Sequence, residues 1–189
     1  MKKYGLYIMM LAVALFCMTS CSDEEDNHLE GWMVANQNAL NAIKGNSEYR
    51  EIKSTGGEGS IYVKVLEKGD GTDSIYYTST MQCYYKGMFA TDYPEYNITK
   101  DYVFDKRLFD DGAPFSIYTG FTIPSSYGYY DSVISGWKTA LQHMVKGDKW
   151  EVWIPYQLGY GRTGSGIIPG YSTLVFEMEV ISVKGVDDK

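Results

Sequence analysis

The stretch VISGWKTALQHM, from Val133 to Met144, places a tryptophan directly after a glycine, at the point where a helical pattern of apolar residues begins. A large aromatic side chain at the start of a short helix is most simply explained by burial in a core. The stretch therefore predicts one helix packed against the rest of a domain. Any further role of Trp137 depends on the sequence around it.

The chain beyond residue 60 alternates short segments of strand character with turns such as GDG (69–71) and GRTGSG (161–166). The helix that contains Trp137 is the only helix predicted among these segments. Because parallel sheets need alternating strands and helices, we expect an antiparallel sheet wrapped against one helix, which is an α+β fold. The predicted strands are SIYVKVLE (60–67), TMQCYYKGMF (80–89), DYVFD (101–105), PFSIYT (114–119), KWEVWIP (149–155) and TLVFEMEVISV (173–183).

Residues 1–20 have the three parts of a secretion signal. Lys2 and Lys3 form a basic start, the apolar run LYIMMLAVALF follows, and MTSC ends it. The apolar run is too short to favour a retained membrane-spanning helix. MTSC resembles a bacterial lipobox, which implies cleavage before Cys21 and attachment of a diacylglyceryl group to its thiol. The alternative is an ordinary cleaved signal with an incidental cysteine.

The acidic run SDEED, at 22–26, resembles the surface-export tag of lipoproteins from the Bacteroidota. This resemblance implies a protein of the cell envelope that is lipid-anchored to the outer membrane and exposed on the cell surface. The sequence leaves open whether the anchor lies on the periplasmic or the outer face of that membrane.

Residues 21–59 are predicted to form an acidic tether, a short helix and a spacer, ahead of a single domain over 60–189. Gly45 is a typical helix stop, and the polar, glycine-rich segment 46–59 is interpreted as the spacer. The apolar face of the helix is expected to cover the domain or a neighbouring molecule. That face is indicated by the spacing of Leu29, Met33, Leu40 and Ile43.

The charge balance and the cysteine content limit the partners of the chain. Without Lys2 and Lys3 the chain keeps 15 basic against 24 acidic residues, a side-chain charge of −9, so nucleic acid and anionic membrane surfaces are not expected partners. No intramolecular disulfide is expected, because Cys17 leaves with the signal and Cys21 carries the lipid. The remaining thiol, Cys83, is predicted to be a small buried hydrophobe.

Residues for the common catalytic chemistries are scarce in this sequence. The chain has two histidines, His28 and His143, and no serine or cysteine nucleophile has a nearby base. The motifs HExxH, paired CxxC and GxxxxGKS/T do not occur, so neither a metal nor a cofactor is expected. His143 is predicted to be an exposed helix residue, and GRTGSG to be a turn because it does not open a helix.

Eight short motifs follow one another in a fixed order, and together they resemble the FKBP-type peptidyl-prolyl cis-trans isomerases, the immunophilins that bind tacrolimus and rapamycin. The resemblance covers about residues 69–183. It implies a strongly bent antiparallel sheet curled around one short α-helix, here with an N-terminal helical extension. The motifs are YKG (85–87), FD (104–105), PF (114–115), VISGW (133–137), MVKGDKWEVWIP (144–155), LGYG (158–161), IIPG (167–170) and STLVFEMEV (172–180).

The resemblance also implies a proline-binding pocket between sheet and helix, with Trp137 as its floor. It implies that Asp105 hydrogen-bonds Tyr85, that Val133-Ile134 presents a backbone N–H to the carbonyl before the proline, and that Tyr160 donates from its phenol. The expected catalytic residues are Asp105, Tyr85, Trp137 and Tyr160, and the expected substrate-binding residues are Phe104, Phe115, Val133, Ile134, Ile168 and Phe176.

The predicted function is isomerisation of Xaa-Pro bonds in exported proteins at the cell envelope, a slow step in folding. The expected partners are proline-containing polypeptides and, through the anchor, a membrane, and the protein is expected to be monomeric. The alternative is a non-catalytic peptide-binding or adaptor lipoprotein that uses the same groove. Two insertions depart from the family pattern, at 88–103 and 121–131, and they put substrate preference and macrolide sensitivity in doubt.

Overall fold

The computed structural model describes residues 22–55, 58–76, 79–117, 122–125, 128–131 and 133–184. The signal predicted over 1–20 and the lipidation site predicted at Cys21 lie outside these residues. Across the described ranges, no helix combines the length and the apolar character needed to cross a bilayer.

The elements are helix α1 (Ser22–Lys44) and strands β1 (Arg50–Lys53), β2 (Ser60–Glu67), β3 (Thr80–Phe89), β4 (Val103–Arg107), β5 (Phe115–Ile117), β6 (Thr122–Ser125) and β7 (Gly128–Asp131), then helix α2 (Ser135–Leu141) and strands β8 (Lys149–Ile154) and β9 (Leu174–Lys184). Strands β1, β2, β8, β9, β3 and β4 form one antiparallel sheet in that order, and β5 also pairs with β3. Strands β6 and β7 form a separate hairpin. The fold is α+β, as the sequence predicts.

One face of the main sheet builds the core. In β8, Trp150, Val152 and Ile154 are buried and alternate with partly exposed residues, which is the period of a strand with one buried face. The longest ladder joins β3 to β9. Register shifts between Gln82 and Cys83 and between Gly87 and Met88 interrupt the pairings of β3. Such bulges bend a strand and increase its twist, as a curved sheet requires.

Helix α2 is the predicted helix around Trp137, and it is shorter than its apolar pattern. Ile134 precedes it in an extended conformation, and the helix ends at Leu141. Gly136 is needed for its position, because a Cβ there would overlap the side chain of Ile154 in β8. The close approach of helix and strand holds Trp137 against the sheet.

Helix α1 packs on its own domain through Trp32, Asn36 and Leu40, which recur every four residues and are buried. The Oδ1 atom of Asn36 accepts a hydrogen bond of 2.7 Å from the backbone N–H of Thr173. Of the two partners expected for this helix, its own domain is the one it covers. The predicted face was partly wrong, because Met33 is 37% exposed.

Two N-terminal segments differ from the sequence interpretation. The acidic run 22–26, expected as a tether, forms the first turns of α1. The segment 46–59, expected as a spacer, contains β1, in which Ile52 pairs with Ile61 of β2. β1 has the sequence REIK, and one apolar residue in four gives no alternating pattern.

The insertion 88–103 is ordered against α1. Tyr93 and Ile98 exchange backbone hydrogen bonds of 2.8 and 3.1 Å around a 3₁₀ turn at Pro94–Tyr96. The rings of Tyr93 and Tyr96 lie 5.4 and 5.8 Å from the ring of Trp32. The other insertion, 121–131, contains the β6–β7 hairpin.

Candidate active site

A cavity of about 100 Å³ opens between the sheet and α2. This volume is several times the roughly 15 Å³ that one water requires by the same kind of measure, so it has room for a small ring. Its lining residues are Tyr85, Phe104, Asp105, Phe115, Val133, Ile134, Trp137, Tyr160 and Phe176.

The indole of Trp137 is packed against three other aromatic rings of the cavity. Its ring centroid lies 4.9 Å from that of Tyr85, 5.3 Å from Phe176 and 6.2 Å from Phe115, at interplanar angles of 81°, 86° and 85°. These edge-to-face contacts are the geometry that aromatic quadrupoles favour. Because only 4% of Trp137 is exposed, the contacts fix the orientation of its ring.

A glycine in β3 allows two aromatic walls of the cavity, Phe104 and Phe176, to meet. Gly87 pairs with Phe176 of β9 on one side and with Asp105 of β4 on the other. A Cβ at Gly87 would lie 2.6 Å from the Phe176 ring and 2.8 Å from the Phe104 ring. These rings meet edge to face at 5.7 Å. Gly87 belongs to the YKG motif but is not among the predicted site residues; a glycine inside a strand pattern is the signal that could have identified it.

The predicted hydrogen bond between Tyr85 and Asp105 is present. The Tyr85 phenol donates to Oδ2 of Asp105 at 2.8 Å, from β3 to the neighbouring strand β4. Burial, followed by the hydrogen bond to Asp105, raises the pKa of Tyr85 well above its usual range. The phenol is therefore a donor at every physiological pH.

Tyr160 contributes a second phenol to the cavity. It follows the 3₁₀ turn Tyr156–Leu158, and 37% of it is exposed. Burial of the phenol, followed by the charge of Asp105, raises the pKa of Tyr160. Tyr160 is thus also protonated at neutral pH and has a proton to donate.

Val133 and Ile134 line the cavity at the start of α2, and both are partly buried. The carbonyl of Ile134 accepts hydrogen bonds from the N–H groups of Trp137 and Lys138 at 3.0 and 3.3 Å. As the residue that caps the helix, Ile134 keeps its own N–H outside the helical ladder. That N–H is free of the helix and is a candidate for the backbone donor predicted at Val133-Ile134.

Nine of the ten predicted site residues line the cavity, and Ile168 does not. Ile168 is 7% exposed and belongs to the core. Its N–H and carbonyl both bond to the backbone of Ser165, at 3.0 and 2.9 Å, which closes a tight turn. Gly164 supports this turn at φ +73°, where a Cβ would overlap the Ile168 carbonyl. The GRTGSG segment is thus part of a turn, as predicted.

Two further predictions concern residues with little catalytic potential. Cys83 is a free and fully buried thiol, and burial raises its pKa to about 12. His143 is exposed after the end of α2. The burial of Cys83 and the exposure of His143 confirm the sequence interpretation, whereas the predicted position of His143 on the helix is wrong. Among the described residues, no group of three or more His, Cys, Asp and Glu side chains is placed to hold a metal ion.

Comparison with known proteins points to one family. The sequence model for "FKBP-type peptidyl-prolyl cis-trans isomerase" matches residues 77–181. FK506-binding protein 1A of Neurospora crassa is 32% identical over 127 residues, which cover 67% of this chain and 90% of that protein. The macrophage infectivity potentiator of Trypanosoma cruzi is 54% identical over 55 residues, which cover 29% of this chain and 28% of that protein.

A solved structure has a related fold. The peptidyl-prolyl cis-trans isomerase of Pseudomonas syringae pv. tomato superposes with a TM-score of 0.59 at 26% identity, covering 82% of this chain and 95% of that one. Several other curated relatives are longer than the matched segment. In three of the relatives found, the chain spans only between 26% and 66% of their length.

Proposed function

The chain belongs to the FKBP-type peptidyl-prolyl cis-trans isomerase family, and we propose that it catalyses rotation about Xaa-Pro bonds in polypeptides. One observation supports this proposal above all: the cavity beside Trp137 is open, and its lining combines aromatic rings with two phenol groups that can donate hydrogen bonds. A catalytic cleft blocked by the chain's own side chains would have argued against it.

The chemistry of the reaction fits a site that has no nucleophile. Rotation about an Xaa-Pro amide meets a barrier of about 20 kcal/mol, because resonance between nitrogen and carbonyl keeps the bond planar. No covalent bond needs to break. Resonance separates charge in the planar amide, and this charge separation is smaller in the twisted transition state. An apolar pocket therefore favours the twisted state over the planar one.

In this proposal the aromatic residues hold the proline ring. The indole of Trp137 is the floor, and Phe104, Phe115 and Phe176 are the walls. With the ring held, rotation moves the carbonyl group that precedes it. The rigid edge-to-face packing keeps water out of the space around the amide nitrogen.

Polar groups at the rim orient the substrate backbone. The N–H of Ile134 donates to the carbonyl before the proline, and the Tyr160 phenol donates to the same segment. Asp105 fixes the phenol of Tyr85 through the 2.8 Å hydrogen bond and places a negative charge beside the rotating amide. These groups position the substrate and do not react with it.

The proposed place of action is the cell envelope, with exported proteins as substrates. Support comes from the signal-like residues 1–20, the lipobox-like MTSC and the acidic run that follows. A lipid on Cys21 would lie one residue before α1, which begins at Ser22 and packs on the domain. Mass spectrometry of the protein purified from its envelope tests this: loss of residues 1–20 with a mass gain from acyl chains is expected.

The activity is tested by NMR exchange spectroscopy on a short Ala-Pro peptide with the full chain in detergent. We expect cis-trans exchange to accelerate in proportion to protein concentration, and the Trp137→Leu variant to lose most of this effect. Peptide binding without any acceleration would contradict the enzyme and favour the adaptor. The matched control is Leu66→Ala, which removes an exposed apolar side chain on β2, away from the cavity.

A further inference from the structure

A second, larger apolar depression lies beside the candidate active site. We name it the flanking groove; its volume is about 450 Å³ and its lining includes Phe89, Tyr96, Ile98, Tyr102, Ile167 and Pro169. The insertion 88–103 supplies one wall and the turn at 167–169 the other. Asn97 also lines it, and no charged residue does within the described part of the chain.

The rim of the flanking groove exposes apolar surface. Tyr102 is 48% exposed and Ile167 is 63% exposed, whereas Phe89 and Ile98 beneath them are 2% and 7% exposed. Exposed apolar side chains that lie together above a buried apolar floor are typical of a binding site. Single exposed apolar residues scattered over a surface are not.

The flanking groove adjoins the cavity that holds Trp137. Phe104 lines the cavity, and its ring centroid lies 5.1 Å from that of Phe89, which lines the groove. The chain between β8 and β9 also serves both, since Tyr160 lines the cavity and Ile167 the groove. A polypeptide seated in the cavity therefore passes close to the groove.

Packing on α1 keeps the flanking groove preformed. The ring of Trp32 contacts Phe89 and Tyr96, at 5.9 and 5.8 Å, and the phenol of Tyr93 donates to the backbone carbonyl of His28 at 2.8 Å. Tyr102 stacks on Phe89 at 6.2 Å with an interplanar angle of 25°. A site ordered in advance binds without the cost of ordering its own side chains.

We propose that the flanking groove is a second substrate subsite, which binds an apolar or aromatic side chain near the isomerised proline. This inference rests on the proposed isomerase function and adds a sequence preference to it. Consecutive ring contacts lead from Trp137 through Phe176 and Phe104 to Phe89, each between 5.1 and 5.7 Å. An extended chain rises about 3.3 Å per residue, so the two floors are at most about five residues apart.

The test uses the full chain and peptides with a constant Ala-Pro pair in a serine-rich host. A single phenylalanine is moved through the positions from two to five residues before the proline and from one to five residues after it. We expect one of these positions to raise kcat/KM roughly ten-fold over the peptide without phenylalanine, a typical discrimination by an apolar pocket.

Two variants on different segments assign the preference to the flanking groove. In Tyr102→Ala and in Ile167→Ser, the ratio of kcat/KM between the two peptides is expected to fall to about two or less. Tyr76→Ala is the matched control, because Tyr76 is 65% exposed and does not line the groove. It should retain the full ratio. The thermal midpoint of each variant reports whether it is folded.

The outcomes separate this inference from the proposed function. If every peptide is accelerated with the same kcat/KM, the subsite is overturned and the isomerase function stands. The same conclusion follows if the phenylalanine preference persists in both groove variants. No acceleration of any peptide overturns the isomerase and the subsite together. A position-dependent preference that both groove variants lose supports the proposal.

Discussion

The phenol of Tyr85 donates a 2.8 Å hydrogen bond to Asp105, although strand pairing places Arg107, and not Asp105, opposite Tyr85. Asp105 lies opposite Gly87, so the bond runs diagonally from β3 to β4. Asp105 lines the cavity, and after burial, which is the larger cause, the charge of this carboxylate also raises the pKa of Tyr160. One acid thus influences both phenols of the site.

Replacement of Asp105 should reduce activity more than stability. Asp105 is exposed, so Asp105→Leu is expected to change the free energy of unfolding by less than about 1 kcal/mol. Loss of the charge and of the hydrogen bond should lower kcat/KM roughly ten-fold, the equivalent of 1.4 kcal/mol. NMR exchange and chemical denaturation measure the two effects. Unchanged turnover would remove Asp105 from the mechanism.

The floor of the cavity should tolerate a ring but not an aliphatic side chain. Trp137→Leu removes edge-to-face contacts with Tyr85 and Phe176, so we expect a loss of about 2–4 kcal/mol in unfolding free energy and most of the activity. Trp137→Phe keeps an aromatic face and should retain more of both. If the leucine variant isomerises peptides as fast as the wild type, the indole contributes to core packing and has no role in catalysis.

The packing of Phe104 on Phe176 depends on the missing Cβ of Gly87. Gly87→Ala should force the rings apart and cost about 1–3 kcal/mol in unfolding free energy. Displaced walls should also raise the KM for peptides. Gly45→Ala is the matched control, because a Cβ there meets no atom within 4 Å. Equal stabilities of the two variants would contradict the close approach.

Helix α1 should contribute to the stability of the domain through Asn36. Asn36→Ala leaves the N–H of Thr173 without the acceptor that it has at 2.7 Å, in a buried place. An unpaired buried donor costs about 1–3 kcal/mol. The neighbouring variant Gln37→Ala removes an exposed side chain and should change the unfolding free energy by no more than about 0.5 kcal/mol. Similar values for both would place α1 outside the cooperative fold.

The parts of the fold that follow a simple period could be predicted from the sequence. Strands β2 and β3 have the predicted bounds, because alternating apolar residues mark them clearly. β1 could not be found in this way, since Ile52 is its one apolar residue. The buried face of α1 includes a polar residue, Asn36, whose partner Thr173 is distant in sequence. Periodicity carries no information about such a pairing.

In the candidate site, too, some features could be predicted from local sequence patterns and others could not. Nine of the ten residues that the ordered motifs predict line one cavity, because each motif fixes a local backbone shape that the sheet then brings together. Ile168 lies outside this cavity. Ile167 and Ile168 are equally apolar in sequence, and only the turn at Ser165 decides which one points to the core. The flanking groove lies largely within an insertion, where no motif applies and the packing on Trp32 decides the conformation.

The buried thiol of Cys83 should make the protein less stable as the pH rises above about 9. Burial raises the pKa of Cys83 from 9.0 to about 12, so between these values the unfolded chain loses this proton and the folded chain keeps it. The unfolding free energy should then fall by up to about 1.4 kcal/mol per pH unit. Below pH 9 the contribution is complete. Denaturation of wild type and Cys83→Ala between pH 8 and about 11 isolates this slope, because other groups titrate equally in both. Parallel stability curves would show that the thiol is not buried.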